Sequence, residues 1–308
     1  DETPECKTYL LRANALWRGA QAGQFVQVRL EMNGRRVERA YSLSQIEGRE
    51  IAITVKRQGR ASSFIHQHWQ VGTVVELSQA AGEFVLPSGV LPAKLLLISA
   101  GSGITPMLAL LHALQARQYD GEVVLLHICQ DKHQFIFARQ LQQLADHFPA
   151  LRLMPYFSRA NGRWQPEMLD ALVPDWYCRT SFICGPDALM SQVASLWHTR
   201  PEAARLFSER FSAAPILPAQ PLGSPVSITC RSSERQFMSS GAEPLLIQAE
   251  RAGLTPKHGC RIGICHSCQC IKSSGTVQNL QTGEINAEPN QLIRICISAA
   301  RSELVLDL

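Results

Sequence analysis

No stretch of the sequence is apolar over the roughly 20 consecutive residues that a membrane-spanning helix needs. The longest apolar runs, such as LLLISA at 95–100, end far sooner. Charge of one sign is also scarce: 30 Lys and Arg against 26 Asp and Glu leave +4 over 308 residues. That balance gives no basis for nucleic-acid binding, which shows as a concentrated basic stripe. There is no internal repeat and no low-complexity tract, and no basic-then-apolar pattern opens the chain. The first residue is Asp1 rather than Met, so a processed or trimmed N-terminus is expected. What the chain does have is 45% hydrophobic against 18% charged residues, the composition of a globular protein with real cores. At 308 residues it is too long for one core of average size, and two or three domains are expected.

Ten cysteines need a reason. Cys6, Cys129, Cys178, Cys184 and Cys230 are isolated, and single cysteines are common core residues. The other five, at 260, 265, 268, 270 and 296, fall within the last 50 residues. A disulfide framework would be spread over a small domain behind a secretion signal. Neither condition holds, which points to a metal centre in a reducing compartment.

The organisation changes along the chain. Residues 24–32, 40–44, 51–57 and 73–79 are short, partly alternating and separated by Gly, Asn and Glu turns, as in a small antiparallel barrel. SSFIHQHW (62–69) reads as a helical insertion with Ser62 and Ser63 at its N-cap. From about 93, AKLLLISAG is a continuous apolar run, as a strand covered on both faces requires. A helix pattern follows, then EVVLLHICQ, FARQLQQLADHF, LRLMPYFSR, TSFICGP and DALMSQVASLW. Strand and helix alternate, which predicts a parallel sheet wrapped by helices. Residues 213–224, AAPILPAQPLGS by the Pro and Ala they carry, read as a linker. Beyond it come a hairpin (SPVSITCRSS and RQFMSS), a short helix stopped by Gly253, the cysteine loop and a closing ELVLDL strand.

In that loop the spacing is Cys260-x4-Cys265-x2-Cys268, with Cys296 a further 27 intervening residues on. This is the plant-type arrangement for a 2Fe-2S cluster, three thiolates from one irregular loop and a fourth from elsewhere. Gly259 and Gly263 let the backbone approach the sulfurs. Four thiolates also suit zinc, although structural zinc sites pair two short C-x2–4-C knuckles, and disulfides are the third alternative. Cys270 fits no iron site and reads as an inward-facing strand residue. The segment from about 225 to 308 resembles the plant-type ferredoxin domain, a β-grasp fold.

Upstream, Arg39-Ala40-Tyr41-Ser42 matches the R-x-Y-S motif of the ferredoxin–NADP reductase superfamily. A guanidinium suits a flavin phosphate, an aromatic ring packs on the flavin, and a small hydroxyl reaches N5. Val55-Lys56-Arg57 and Gly59-Arg60-Ala61-Ser62 resemble the second flavin segment, where helix N-terminal amides meet the pyrophosphate and Ser62 and Ser63 would add hydroxyls. Gly82-Glu83-Phe84 resembles the G-x-F that closes the barrel. Gly101-Ser102-Gly103-Ile104-Thr105-Pro106 lies between a buried strand and a helix, the context of a phosphate-binding glycine turn. It resembles the family's G-x-G-[IV]-[TA]-P rather than the dinucleotide G-x-G-x-x-G. Cys184-Gly185-Pro186 resembles the third mark, with the cysteine beside the nicotinamide, and SERFSAAP (208–215) the E-x-F closing strand.

The resemblance covers nearly the whole chain. It implies a multidomain protein with an antiparallel flavin β-barrel (1–90), an α/β parallel-sheet NAD(P)-binding domain (91–212), the linker (213–224) and an α+β β-grasp ferredoxin domain (225–308). It implies FAD rather than FMN, a 2Fe-2S cluster held by Cys260, Cys265, Cys268 and Cys296, and an oxidoreductase whose Ser42 meets the flavin N5 and whose Cys184 lies by the nicotinamide. Ser158 and Arg159, in the stretch Tyr156-Phe157-Ser158-Arg159, match the pair that binds a 2′-phosphate in NADP-dependent members, with Arg163 assisting. NADPH is therefore expected ahead of NADH.

The segment GCRIGICHSC resembles reductases of membrane acyl desaturases. A diiron acyl desaturase or similar oxygenase is thus the expected acceptor. Reductases of Rieske oxygenases and of the hybrid cluster protein share the domain order and are the alternative. A metal-binding protein without turnover is the third reading. Residues 225–308 carry 8 Lys and Arg against 7 Asp and Glu. Lys257, Arg261, His258 and His266 around the loop are expected to dock on an acidic patch of the acceptor, with Ile262 and Ile264 beside them. A monomer without a transmembrane segment of its own is expected, cytoplasmic or peripheral at the inner face of a membrane.

Overall fold

The computed structural model describes residues 1–32, 34–200, 203–211, 221–259, 261, 263 and 267–308. The chain divides into two compact units, Asp1–Phe211 and Ser212–Leu308. Most of the expected linker, 213–220, lies outside the described residues. Among the described residues no helix is long and apolar enough to cross a membrane.

The first unit opens with β1 (Cys6–Arg12), β2 (Phe25–Met32), β3 (Arg35–Glu47), β4 (Glu50–Lys56), helix α1 (Arg60–His68) and the short β5 (Glu76–Leu77). These strands form an antiparallel sheet in the order β1-β4-β3-β2-β5. Its apolar face gathers Val26, Val28, Leu30, Leu43, Ile51, Ile53 and Val55 with Ala61 and Ile65 of α1. The sequence pattern missed β1, and of 73–79 only Glu76–Leu77 is strand. The α1 helix starts two residues before Ser62, with Gly59 as its N-cap, so Ser62 stands at the third helical position rather than at the cap.

The same unit continues with β6 (Lys94–Ala100), α2 (Ile104–Ala116), β7 (Glu122–Cys129), α3 (Ala138–His147), β8 (Leu151–Phe157), the one-turn helices α4 (Ser158–Asn161) and α5 (Leu169–Leu172), β9 (Thr180–Cys184), α6 (Asp187–His198) and β10 (Leu206–Glu209). All pairings are parallel in the order β10-β9-β6-β7-β8. The β6 run LLLI is explained by its two covered faces. Leu95 and Leu97 pack with α2 and α3 residues such as Leu111 and Leu141, whereas Leu96 and Ile98 pack with Leu169, Val193 and Trp176. Arg179, almost fully buried, bonds Asp175 at 2.8 Å and Glu122 at 2.7 Å, and Lys94 also reaches Asp175 at 2.8 Å. These charges clamp the strand beginnings, and the opposite, carboxyl ends are left to carry the loops where α/β sheets bind ligands.

The second unit pairs β11 (Val226–Cys230) with β12 (Arg235–Ser239) as the expected hairpin, followed by α7 (Leu245–Arg251). Gly253, at φ +81°, ends that helix in the left-handed region that favours glycine. Then come β13 (Gln269–Ser274), β14 (Val277–Asn279), β15 (Ile285–Asn286), β16 (Gln291–Arg294), β17 (Ser298–Ala300) and β18 (Leu304–Leu306). The order β12-β11-β18-β13-β16 is mixed, with β11 and β18 parallel, and Leu245 and Leu246 of α7 pack on its face. Strands β15-β14-β17 form a separate small sheet.

Candidate functional site

The middle of β3, the end of β4 and the start of α1 come together around a cleft of about 290 Å³. Of the residues expected to bind cofactor, Arg39, Tyr41, Ser42, Lys56, Gly59, Ser62 and Thr105 line it. Thr54, Gln58, Arg60, Ser102 and Phe211 line it too, none of them a contact that the sequence motifs predict. Alternation along β4 explains its share: Val55 is fully buried in the apolar core, so its neighbours Thr54 and Lys56 face the cleft, whereas β3 lines it with the consecutive residues Arg39, Ala40, Tyr41 and Ser42.

The groups on this wall suit a flavin nucleotide. Arg39 is exposed and donates to the Glu38 carbonyl at 2.7 Å. Burial pushes the Tyr41 phenol up to about 12 against the opposing pull of Arg39, so it is a neutral aromatic wall. Gly59 offers no capping side chain, and a Cβ there would meet nothing within 4 Å, which leaves the first amides of α1 open to an anion. Ser62 contributes differently from expectation. Its hydroxyl sits within 3.0 Å of the Gln58 and Gly59 amides and donates to the Gly59 carbonyl, shaping the turn. Ser63 does not line the cleft.

Deeper, the Ser42 hydroxyl donates to Glu209 at 2.9 Å. Burial raises the Glu209 carboxyl to about 8, with the Ser42 hydroxyl opposing. Cys184 pairs with Glu209 across β9 and β10 and is fully buried; burial first, and then the Glu209 charge, push its thiol well up. The Cys184 side chain is therefore a neutral thiol beside Glu209 and not a lining residue of the cleft.

The glycine turn follows β6 as a short 3-10 turn at Gly101–Gly103, with Gly101 at φ +54°. Gly103 is required by close packing: a Cβ there would lie 2.1 Å from the Cys184 carbonyl oxygen. Gly185 packs against Ala100, and Pro186 caps α6. The turn and the CGP stretch thus form one knuckle at the carboxyl ends of β6 and β9. Gly103→Ala is expected to destabilise the first unit by about 2 kcal/mol through overpacking, read by urea unfolding. Thr105 bonds the Ser102 carbonyl at 3.0 Å, and Pro106 is tolerated in the first turn of α2.

Ser158 and Arg159 begin α4 directly after β8. Arg159 is largely exposed and ion-paired with Asp131, which follows β7, and Arg163 is exposed nearby in sequence.

In the second unit, Cys268 and Cys296 are buried in one apolar cluster with Ile295 and Ile297. Cys260 and Cys265 lie outside the described residues, as do Ile262, Ile264 and His266. Gly263, at φ +82°, sits so close to Ile297 that a Cβ would come within 2.7 Å of its side chain, and its carbonyl accepts from Arg294. Cys268 and Cys296, the two described members of the expected donor set, are thiols buried in one apolar cluster, which fits an iron–sulfur cluster. Cys270 faces the core of β13, as expected, and burial first among several causes pushes its thiol up to about 12. Arg261, one of the expected docking cations, bonds Glu250 at 2.9 Å and His258 at 2.8 Å.

Residues 97–195 match the family described as oxidoreductase NAD-binding domain, and 228–301 match the 2Fe-2S iron-sulfur cluster binding domain. An NADPH oxidoreductase of Mycobacterium tuberculosis is 34% identical, over 94% of this chain and 76% of its own. The glycine betaine monooxygenase reductase subunit of Chromohalobacter salexigens is 27% identical, over 92% and 86%. The solved structure of phthalate dioxygenase reductase, described as modular for electron transfer from pyridine nucleotides to 2Fe-2S, superposes with a TM-score of 0.65 at 25% identity, covering 100% of this chain and 95% of that one.

Proposed function

The chain belongs to the ferredoxin–NADP reductase-type flavoproteins that carry a C-terminal 2Fe-2S ferredoxin domain, and from that membership we propose that it passes electrons from NADPH through FAD and the cluster, singly, to an oxygenase partner. The observation that carries the reading is the cleft in which Arg39, Tyr41, Ser42, Lys56 and the open α1 N-terminus converge next to the Gly101–Gly103 turn. Bound FAD supplies the exchange between two-electron hydride chemistry and the one-electron cluster.

The chain's residues do the rest. Arg39 and the α1 amides hold the phosphates, and Tyr41 walls the ring. Ser42, whose hydroxyl hydrogen is committed to Glu209, would leave its oxygen as an acceptor for the flavin edge. The Gly101–Gly103 turn, Thr105 and the Gly185-Pro186 corner form the nucleotide-facing end of the sheet, and Ser158 with Arg159 receive the 2′-phosphate. Cys184 packs behind this corner and sets its position. Cys260, Cys265, Cys268 and Cys296 hold the cluster. The functional division runs 1–90 for flavin, 91–212 for nicotinamide nucleotide, 213–224 as linker and 225–308 for the cluster.

For the acceptor, an oxygenase is favoured because two similar proteins are named for a monooxygenase and a dioxygenase. The acyl-desaturase reading rests on the GCRIGICHSC likeness alone and draws no support from those relatives. Anaerobic NADPH is expected to bleach both flavin and cluster absorption, and NADH to do so with a catalytic efficiency at least about tenfold lower. No bleaching with either nucleotide would return the chain to the non-catalytic reading; a preference for NADH would remove the NADPH assignment. Turnover of purified oxygenase against purified desaturase separates the acceptors.

A further inference from the structure

The reading of Ser158 and Arg159 as the 2′-phosphate subsite leaves Asp131 unexplained. Two residues past the end of β7, Asp131 uses one carboxylate oxygen to accept from the His133 and Gln134 amides at 2.9 and 3.2 Å. Its other oxygen holds the Arg159 guanidinium. Arg159 is further tied to the same segment, its amide donating to the Gln130 carbonyl at 3.0 Å and its second guanidinium nitrogen to the Gln130 side chain at 3.3 Å. Asp131 cannot swing aside without losing two backbone hydrogen bonds, so its negative charge stays with Arg159 whatever docks there.

We propose that Asp131 is a specificity-determining residue, a fixed counter-ion that restrains Arg159 and lowers the preference for a 2′-phosphorylated nucleotide over its 2′-hydroxyl counterpart. A dianionic phosphate approaching Arg159 meets the carboxylate as a like charge, and the penalty is electrostatic. A ribose diol carries no charge, and for it the same carboxylate is an acceptor. The arrangement therefore narrows the gap between NADPH and NADH instead of maximising it, by a built-in repulsive element. Most exposed ion pairs contribute little, but this one is anchored on both sides.

The inference rests on the 2′-phosphate reading, and the test separates them. The affinities of 2′,5′-ADP and 5′-AMP are measured by calorimetry on the full-length holoprotein for wild type, Asp131→Asn, Asp131→Ser and Arg159→Leu. Asn and Ser both retain a capping acceptor and remove the charge. Both are expected to tighten 2′,5′-ADP about tenfold while leaving 5′-AMP unchanged or weaker. Arg159→Leu is expected to weaken 2′,5′-ADP about thirtyfold with little effect on 5′-AMP. If Arg159→Leu weakens 2′,5′-ADP but neither Asp131 variant tightens it, the counter-ion role is overturned and the subsite stands. If Arg159→Leu leaves 2′,5′-ADP unchanged, the subsite itself is wrong and the inference falls with it. If one Asp131 variant folds poorly, the other decides.

Discussion

Cys296→Ser is expected to lower NADPH-driven cytochrome c reduction below about 1% of wild type while ferricyanide reduction stays within about twofold. Cytochrome c is taken here to draw electrons from the cluster, and ferricyanide to accept them directly from the flavin. Cys296 is buried between Ile295 and Ile297 on the segment joining β16 to β17, in the cluster of apolar side chains that also contains Cys268. A serine oxygen there is a harder, less polarisable donor than a thiolate. The flavin cleft belongs to the other compact unit, Asp1–Phe211, so losing a ligand in Ser212–Leu308 leaves the flavin's own reactions in place. The variant's visible spectrum should keep the flavin bands and lose the cluster bands. Cys270→Ser is the control: Cys270 faces the β13 core, and its replacement should preserve the cluster bands. If both electron-acceptor activities survive in Cys296→Ser, the proposed relay is wrong; if Cys270→Ser alone bleaches the cluster, the ligand set is.

The parts of this molecule that were readable in its sequence share one property: their signals are local. A strand covered on both faces must be apolar at every position, and LLLI in β6 announces that without knowledge of its neighbours. The glycine turn, R-x-Y-S and the cysteine spacing are likewise contiguous. What was missed is held by distant partners. Strand β1 exists because it pairs with β4, Cys6 opposite Lys56, and its own alternation is blurred by Leu10, which is 77% exposed. The N-terminus of α1 was misplaced because a glycine cap leaves no side-chain signature, and Ser62, a natural capping residue, stood two positions inside. Glu209 was visible as part of an E-x-F stretch, but its hydrogen bond to Ser42 spans 167 residues. The Asp131–Arg159 pair spans 28, and a charge pair between a loop and a one-turn helix has no periodicity to betray it. Function residues here are brought together by topology after the local motifs have placed the elements.

The buried Glu209 carries the second large expectation, a pH dependence of stability that Glu209→Gln should flatten. Burial lifts its carboxyl to about 8 in the folded protein, with the Ser42 hydroxyl pulling the other way. Unfolded, the same group titrates near 4.3. Between those values the folded state binds one more proton than the unfolded state, so stability falls as pH rises. The contribution is fully present below about pH 4.3, is lost as pH climbs through about 8, and is of the order of 5 kcal/mol in total. All five tryptophans, Trp17, Trp69, Trp164, Trp176 and Trp197, lie in the unit that contains Glu209, so intrinsic fluorescence reports the unfolding of that unit alone. Urea unfolding at pH 5 and pH 9 should show wild type losing several kcal/mol more than Glu209→Gln across that interval. The amide oxygen introduced by Glu209→Gln can still accept from Ser42, so the variant removes the proton equilibrium and keeps the contact. Equal pH slopes in the two proteins would mean that Glu209 is already ionised in the folded state. In that case the Ser42 hydroxyl would face a carboxylate at neutral pH, and the site behind the flavin wall would carry a fixed negative charge instead of a neutral acid.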